Sequence, residues 1–139
     1  MVILTKTVEF STSGSGDMVE ITDKVQLGIT ESNMKNGVAV IFCPGSTGAV
    51  STVEYEPGLK KDIPKAMQRL APYGDDYAHH DTWDDDNGSG HVQATIIGPS
   101  LTVPFTDRKL TLGRWQQVVF IECDTRARER KLIVQILGE

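Results

Sequence analysis

Apolar and polar positions alternate from Val2 to Phe10, and many of the residues are β-branched, which predicts a first strand over residues 2–10. Gly14, Gly16 and the serines around them supply a turn. Ile21, Val25 and Ile29 then recur every four residues, so a helix is expected from Thr22, a residue able to cap it, to about Met34, with Asn36-Gly37 as its stop. Val38 to Cys43 is almost continuously apolar and reads as a central strand buried on both faces. Residues 50–56 alternate again, with Val53 and Tyr55 on one side and Thr52, Glu54 and Glu56 on the other, until Pro57-Gly58 breaks the chain.

Leu59, Ile63, Met67 and Leu70 share one helical face, and Pro72 ends that second helix. Pro64 lies inside the pattern, which a helix tolerates if it starts near Lys61 or Asp62. Residues 73–90 have no period, and residues 91–98 read as a helical turn or short helix. Strands are expected at 101–105, 109–112, 115–124 and 131–137. There is no internal repeat. Strands that mostly follow one another, with two or three helices inserted, predict an α+β fold with a largely antiparallel sheet in a single domain over residues 1–139.

The length of 139 residues suits one domain with a real core. A net charge of −5 argues against general nucleic-acid binding, which needs a basic surface. No apolar run is long enough to span a membrane, and the first residues lack a secretory h-region. Cys43 and Cys123 each lie in an apolar run, as reduced thiols buried in a cytoplasmic protein would.

Candidate chemistry concentrates in the aperiodic stretch. Tyr73 to His91 holds six aspartates and all three histidines, and no Lys or Arg falls between Arg69 and Arg108. Carboxylates with imidazoles are what a divalent metal uses, Zn for the imidazoles or Mg for the carboxylates. The competing reading is a solvated acidic loop, since aspartate is common in turns. The spacing fits neither an EF-hand nor HExxH. His79 and His80 are adjacent, so at most one of them joins His91 in a site.

A second feature, Pro44-Gly45-Ser46-Thr47-Gly48-Ala49, follows the apolar strand. Its backbone amides and hydroxyls suit an anion, although it also reads as a plain connection between strands. Third, Arg126, Arg128 and Arg130 alternate, so an extended chain sets them on one side, either to hold phosphate or carboxylate or as a solvated strand edge. Glu54 and Glu122 lie among apolar neighbours, paired with arginine or poised as general bases.

Taken together, these segments resemble the YjbQ-like family, an uncharacterised one. The resemblance spans nearly the whole chain. It rests on Gly45-Ser46-Thr47-Gly48-Ala49 through Glu54; Tyr77-Ala78-His79 through Asp86-Asn87-Gly88 and His91; Gly98 through Pro104; Leu112-Gly113-Arg114-Trp115-Gln116; and Glu122 with Arg130 before the last strand. It implies a compact α+β fold, usually a homotrimer, with a polar pocket. Some members are labelled secondary thiamine-phosphate synthases, which join a pyrimidine diphosphate to a thiazole phosphate and release pyrophosphate. His79, His91, Glu54, Asp86, Ser100 and Glu122 match the family's recurrent polar positions. Many members carry histidine where this chain has Gly45.

The expectation is therefore an enzyme acting on a small phosphorylated molecule. His79, His91, Glu54 and Asp86 would be its catalytic groups. Gly45, Ser46, Thr47, Gly48, Ser100, Glu122 and Arg130 would bind the substrate, and His79, His91 and Asp86 would hold a divalent metal. A non-catalytic metal- or ligand-binding homotrimer, and an interaction module whose histidines only satisfy hydrogen bonds, are the alternatives.

Overall fold

In the computed structural model, which describes all 139 residues, the alternation at the N-terminus becomes β1 (Val2–Ser11). The chain continues through β2 (Met18–Glu20), α1 (Thr22–Ser32), β3 (Gly37–Phe42), β4 (Gly48–Val53), α2 (Leu59–Leu70), α3 (Ala78–Trp83) and α4 (Gly88–Ile97). It closes with β5 (Ser100–Thr106), β6 (Lys109–Leu110), β7 (Gln117–Glu122) and β8 (Glu129–Gly138). Every strand pairing is antiparallel: one sheet has the order β1-β8-β3-β5-β6 and the other β2-β7-β4. The fold is α+β, with four helices where the hydrophobic pattern had shown two or three.

The molecule is layered. The inner face of the five-stranded sheet (Ala39, Ile41, Val103, Phe105, Leu132, Val134, Ile136) packs with α1 residues Val25 and Ile29 and with Val50, Val118 and Phe120 of the smaller sheet. The far face of that smaller sheet (Met18, Ala49, Val119, Ile121) forms a second cluster with Ala94 of α4, and Ile63 of α2 and Ile97 of α4 lie against it. β7 is thus buried on both faces, its alternate residues feeding the two clusters.

Several local expectations shift. Thr22 does not cap α1, because its hydroxyl accepts the Val118 N–H (2.9 Å) and ties the helix to β7 instead. The helix ends at Asn33, which adopts a left-handed conformation (φ 60°), before Asn36-Gly37 is reached. α2 starts at Leu59, earlier than Pro64 favours, because the Glu56 carboxylate accepts the N–H groups of Gly58 (2.7 Å) and Leu59 (2.5 Å) and fixes the first turn. β3 is buried on one face only: Ala39 and Ile41 are closed to solvent, whereas Phe42 is 44% exposed.

α3 lies inside the stretch read as aperiodic, and Asp84 in a left-handed conformation (φ 51°) ends it. α4 begins three residues before the expected helix because Gly88, Ser89 and Gly90 belong to it and are buried. A Cβ on Gly90 would sit 2.3 Å from the Cys123 carbonyl oxygen, so only glycine lets the start of α4 rest on the end of β7.

Candidate functional site

The end of β7, the start of β8 and the β3–β4 connection meet where the two sheets diverge. Glu122 closes β7 and is fully buried; Arg130 is the second residue of β8, and its side chain is only 5% exposed. Arg130 Nε donates to Glu122 Oε1 (2.8 Å), Nη2 donates to Glu122 Oε2, and Nη2 also reaches the Thr47 hydroxyl (3.0 Å). Glu122 further accepts the Thr12 hydroxyl (2.7 Å) and the Asp124 N–H (3.1 Å). Burial alone would loosen the Arg130 proton, but the hydrogen bond and charge of Glu122 outweigh it and hold the guanidinium charged. Such a pair is stable only because its polar atoms are satisfied, and no buried side-chain nitrogen or oxygen here lacks a partner.

Arg130 Nη1 makes no hydrogen bond to protein. It lies 3.4 Å from where a Cβ on Gly45 would stand, and Gly45 has a φ of +109° that favours glycine. Gly45, Ser46 and Gly48 line a cavity of about 120 Å³ together with Ala94, Thr95 and Pro99.

Thr47 links this pair to a second carboxylate. Its hydroxyl donates to Asp124 Oδ2 (3.0 Å), which also accepts Arg128 Nη1 (2.8 Å), while Asp124 Oδ1 accepts the Thr125 N–H (2.7 Å). Burial pushes the Asp124 carboxyl up, but the Thr125 and Thr47 hydrogen bonds and the two arginines together hold it below its ordinary range. Asp124 stands near enough to His91 to favour that imidazole's charged form.

His91 is the fourth residue of α4, directly after the Gly90 contact, and His79 lies on α3. Their rings meet with centroids 4.3 Å apart. Burial, then repulsion from His79, lowers the His91 pKa; Asp85 and Asp124 oppose this in part. His79 Nε2 lies 3.3 Å from Asp85 Oδ1 and 3.2 Å from the Asn87 amide, whose NH2 group, turned toward its neighbours, donates to Asp85 (2.9 Å). His80 takes no part in the pair: its Nε2 accepts the Gly88 N–H (3.3 Å) at the start of α4.

His79, His91, Gly45, Ser46, Thr47, Gly48, Glu122 and Arg130 therefore belong to one region, joined through Thr47 and Asp124. Three other expected residues stand elsewhere. Asp86 accepts the Tyr73 hydroxyl (2.9 Å) and the Thr125 hydroxyl (3.2 Å), and Asp85 takes its place at His79. Glu54 is exposed just beyond β4, at the opposite end of that strand from Gly48. Ser100 pairs with Phe42 on the outward face of the five-stranded sheet, away from the inward Arg130. For a divalent cation the donors at hand are His79, His91 and Asp85, a set closer to Zn than to Mg, but no three His, Cys, Asp or Glu side chains are already disposed as a metal cage.

Asp124 and Asp85 were missed from sequence. Asp124 sits in Cys-Asp-Thr with no motif around it, and its one signal is Arg128 four residues on. Cys43 and Cys123 are free and buried. Burial, helped by Glu122, pushes the Cys123 thiol up to about 12, so neither thiol is an activated nucleophile.

Comparison with known proteins agrees with this fold. Residues 6–139 match the family described as UPF0047 protein YjbQ-like. A UPF0047 protein of Archaeoglobus fulgidus is 36% identical over 121 residues, 87% of this chain and 91% of that relative. A Bacillus subtilis UPF0047 protein is 28% identical over 134 residues, covering 96% and 98%. Among solved structures, a YbjQ-like protein of unknown function from Sulfolobus solfataricus superposes with a TM-score of 0.88 at 31% identity, over 99% of this chain and 100% of that one. A hypothetical protein from Aeropyrum pernix gives 0.85 at 32% identity, over 96% and 99%.

Proposed function

The chain belongs to the YjbQ-like UPF0047 family, and from that starting point we propose that it is an enzyme acting on a small phosphorylated molecule through acid–base chemistry at His79 and His91. The observation that carries this reading is the continuity of the polar region. A half-buried imidazole pair adjoins Asp124, Thr47 ties Asp124 to Arg130, and Arg130 keeps Nη1 free beside Gly45. Clustered titratable groups whose surroundings perturb them mark reactive sites more often than isolated ones do.

The roles follow from the chemistry. With its pKa lowered, His91 is neutral at pH 7 and ready to take a proton, which makes it the general base. His79, whose Nε2 lies 3.3 Å from Asp85 Oδ1 and whose ring packs on His91, would be the group that relays the proton. Ser46, the Gly45–Gly48 amides and Arg130 Nη1 would receive the anionic group. Glu122 and Asp124 hold the arginines in place and touch no substrate. The resemblance implies a histidine where this chain has Gly45, so any third proton-transfer or metal contact would come from Asp85, Asp124 or a neighbouring subunit. We take the assembly to be the homotrimer that the resemblance implies, in the cytoplasm, where two free buried thiols stay reduced.

The first reaction to test is the thiamine-phosphate synthase-like transfer, in which an anion site would stabilise the departing pyrophosphate. Purified protein, with and without Zn or Mg, is assayed for pyrophosphate release from the two precursors, and His79→Ala with His91→Ala is assayed beside it. Turnover that the double variant loses while staying folded supports the reading. Turnover unchanged in the double variant overturns it. Binding of the precursors without turnover favours the non-catalytic alternative.

A further inference from the structure

The turn between β3 and β4 carries more hydrogen-bond donors than the protein itself engages. Gly45, Ser46 and Thr47 lie between the two strands, and none of their three N–H groups reaches a protein acceptor. Gly45 has a positive φ (+109°) and Ser46 and Thr47 do not, an alternation that turns successive N–H groups toward one concavity. Thr47 is only 5% exposed, and folded proteins rarely leave a buried N–H unpaired. Arg130 is an independent sign. Its side chain is 5% exposed; Glu122 and Thr47 engage three of its five N–H groups, and the two on Nη1 remain. No fully buried side-chain nitrogen lacks a partner, so Nη1 opens onto space, and that space lies beside Gly45.

Three main-chain N–H groups, the Ser46 hydroxyl and the two Nη1 hydrogens make six donors around the cavity of about 120 Å³ that Gly45, Ser46, Gly48, Ala94, Thr95 and Pro99 line. A carboxylate meets such donors with about four lone-pair sites, whereas a terminal phosphate brings three strong acceptor oxygens, about six sites. The cavity takes one such group and falls short of the roughly 300 Å³ of a whole small-molecule pocket, so the rest of the ligand lies outside it. α4 shows where. Thr95 lines the cavity and donates its hydroxyl to the His91 carbonyl (2.8 Å), so the two side chains share a face one turn apart, about 6 Å along the axis. An extended chain advances about 1.2 Å per bond, which sets an atom level with His91 about five bonds from a phosphorus beside Thr95. Asp124 flanks this interval: Thr47 binds it at one end, Arg128 is already paired with it, and at the other end its charge reaches His91. Uncharged carbons suit the interval better than a second phosphate.

We infer that the ligand is a monophosphate ester of a four- or five-carbon chain, with its phosphate on the Gly45–Thr47 turn and Arg130 Nη1 and its third or fourth carbon at His91. The inference rests on the proposed function above and narrows its substrate class.

Nuclear magnetic resonance of the full chain at pH 7 tests it, with inorganic phosphate, acetate, pyrophosphate and ribose 5-phosphate as probes. Phosphate should shift the Gly45, Ser46 and Thr47 amide signals saturably and bind at least tenfold more tightly than acetate. Pyrophosphate should bind no more tightly than phosphate. Ribose 5-phosphate should shift the same amides and add Overhauser contacts between its C2 or C3 hydrogens and the His91 ring. Ser46→Asp, at an exposed position, should weaken phosphate binding at least about 50-fold with the remaining signals in place. Ser46→Ala should weaken it about tenfold and serves if the aspartate variant does not fold. Phosphate that leaves the three amides unmoved, that binds the folded variants at full strength, or that acetate matches overturns the seat. Pyrophosphate binding tenfold tighter than phosphate, or ribose 5-phosphate bound without contact to His91, overturns the substrate class. A seat that behaves as stated in a protein that turns nothing over keeps this inference and sinks the enzymatic reading. Turnover that depends on His79 and His91, with no phosphate at the turn, does the reverse.

Discussion

Two acidic regions of this molecule face each other and behave oppositely. Residues 75–86 hold six aspartates, every one exposed. Glu122 and Asp124 are only two carboxylates, yet both are closed to solvent, and between them they hold Arg130, Arg128, Thr47 and Thr12 in place. The first region is conspicuous in the sequence and bears little structural weight; the second is inconspicuous and organises the site. Charge density along a chain does not measure electrostatic consequence, because water screens the exposed group and burial magnifies the paired one.

The strongest way to break that contrast is Glu122→Ala. It strands Arg130 in the interior, so urea denaturation should show a loss of about 3–5 kcal/mol. A loss comparable to that of an exposed aspartate would erase the distinction. Gly90→Ala comes next: its Cβ would collide with the Cys123 carbonyl, prising α4 off β7, with an expected loss of about 2 kcal/mol or more by the same measurement. At the imidazole pair beside the acidic region the effect should move from stability to activity. His91→Ala should keep the unfolding free energy within about 1 kcal/mol of wild type and lower turnover by about 10²–10⁴-fold.

Acid should separate the two regions in pH. His91 has a folded pKa below its ordinary value of 6.5, so the stability it contributes is full above that pH and fades as pH falls toward the folded value. Asp124, held below 3.8, contributes stability that is full above that pH and lost only at more acid values. Stability against pH should thus fall in two steps, and His91→Ala should remove the upper one alone. The smallest change is expected for Asp75→Asn with Asp76→Asn, within about 0.5 kcal/mol, since both residues are exposed.

The sequence exposed the parts of this fold whose pattern is periodic. β1, α1 and β8 follow from alternation and fourfold spacing, because each presents one face to the core; β3 was visible as an apolar run, but the run did not reveal that only one of its faces is covered. α3 could not be seen: it is six residues long, buries nothing and is ended by backbone conformation at Asp84. α4 was cut short because Gly88-Ser89-Gly90 resembles a loop until β7 is known to press against it. In the site, His79, His91, Thr47 and Arg130 stood out by residue type and resemblance. Asp124 did not, since its partners come from loops and strands up to 77 residues away in the chain. The choice between Asp85 and Asp86 depends on which of two adjacent carboxylates turns toward α3, and no spacing rule decides that.

The Glu122–Arg130 pair has one more consequence, for how β7 finds its place. A strand apolar on both faces can slide by one residue and still present hydrophobic side chains to both neighbours, so burial hardly distinguishes the shifted pairing from the native one. Val118-Val119-Phe120-Ile121 is such a stretch. One step of slippage would carry Glu122 away from Arg130 and leave two opposite charges apart in the interior. The ion pair then acts as an index mark on an otherwise featureless ruler, so that losing it would cost the chain a single strand alignment as well as its strength.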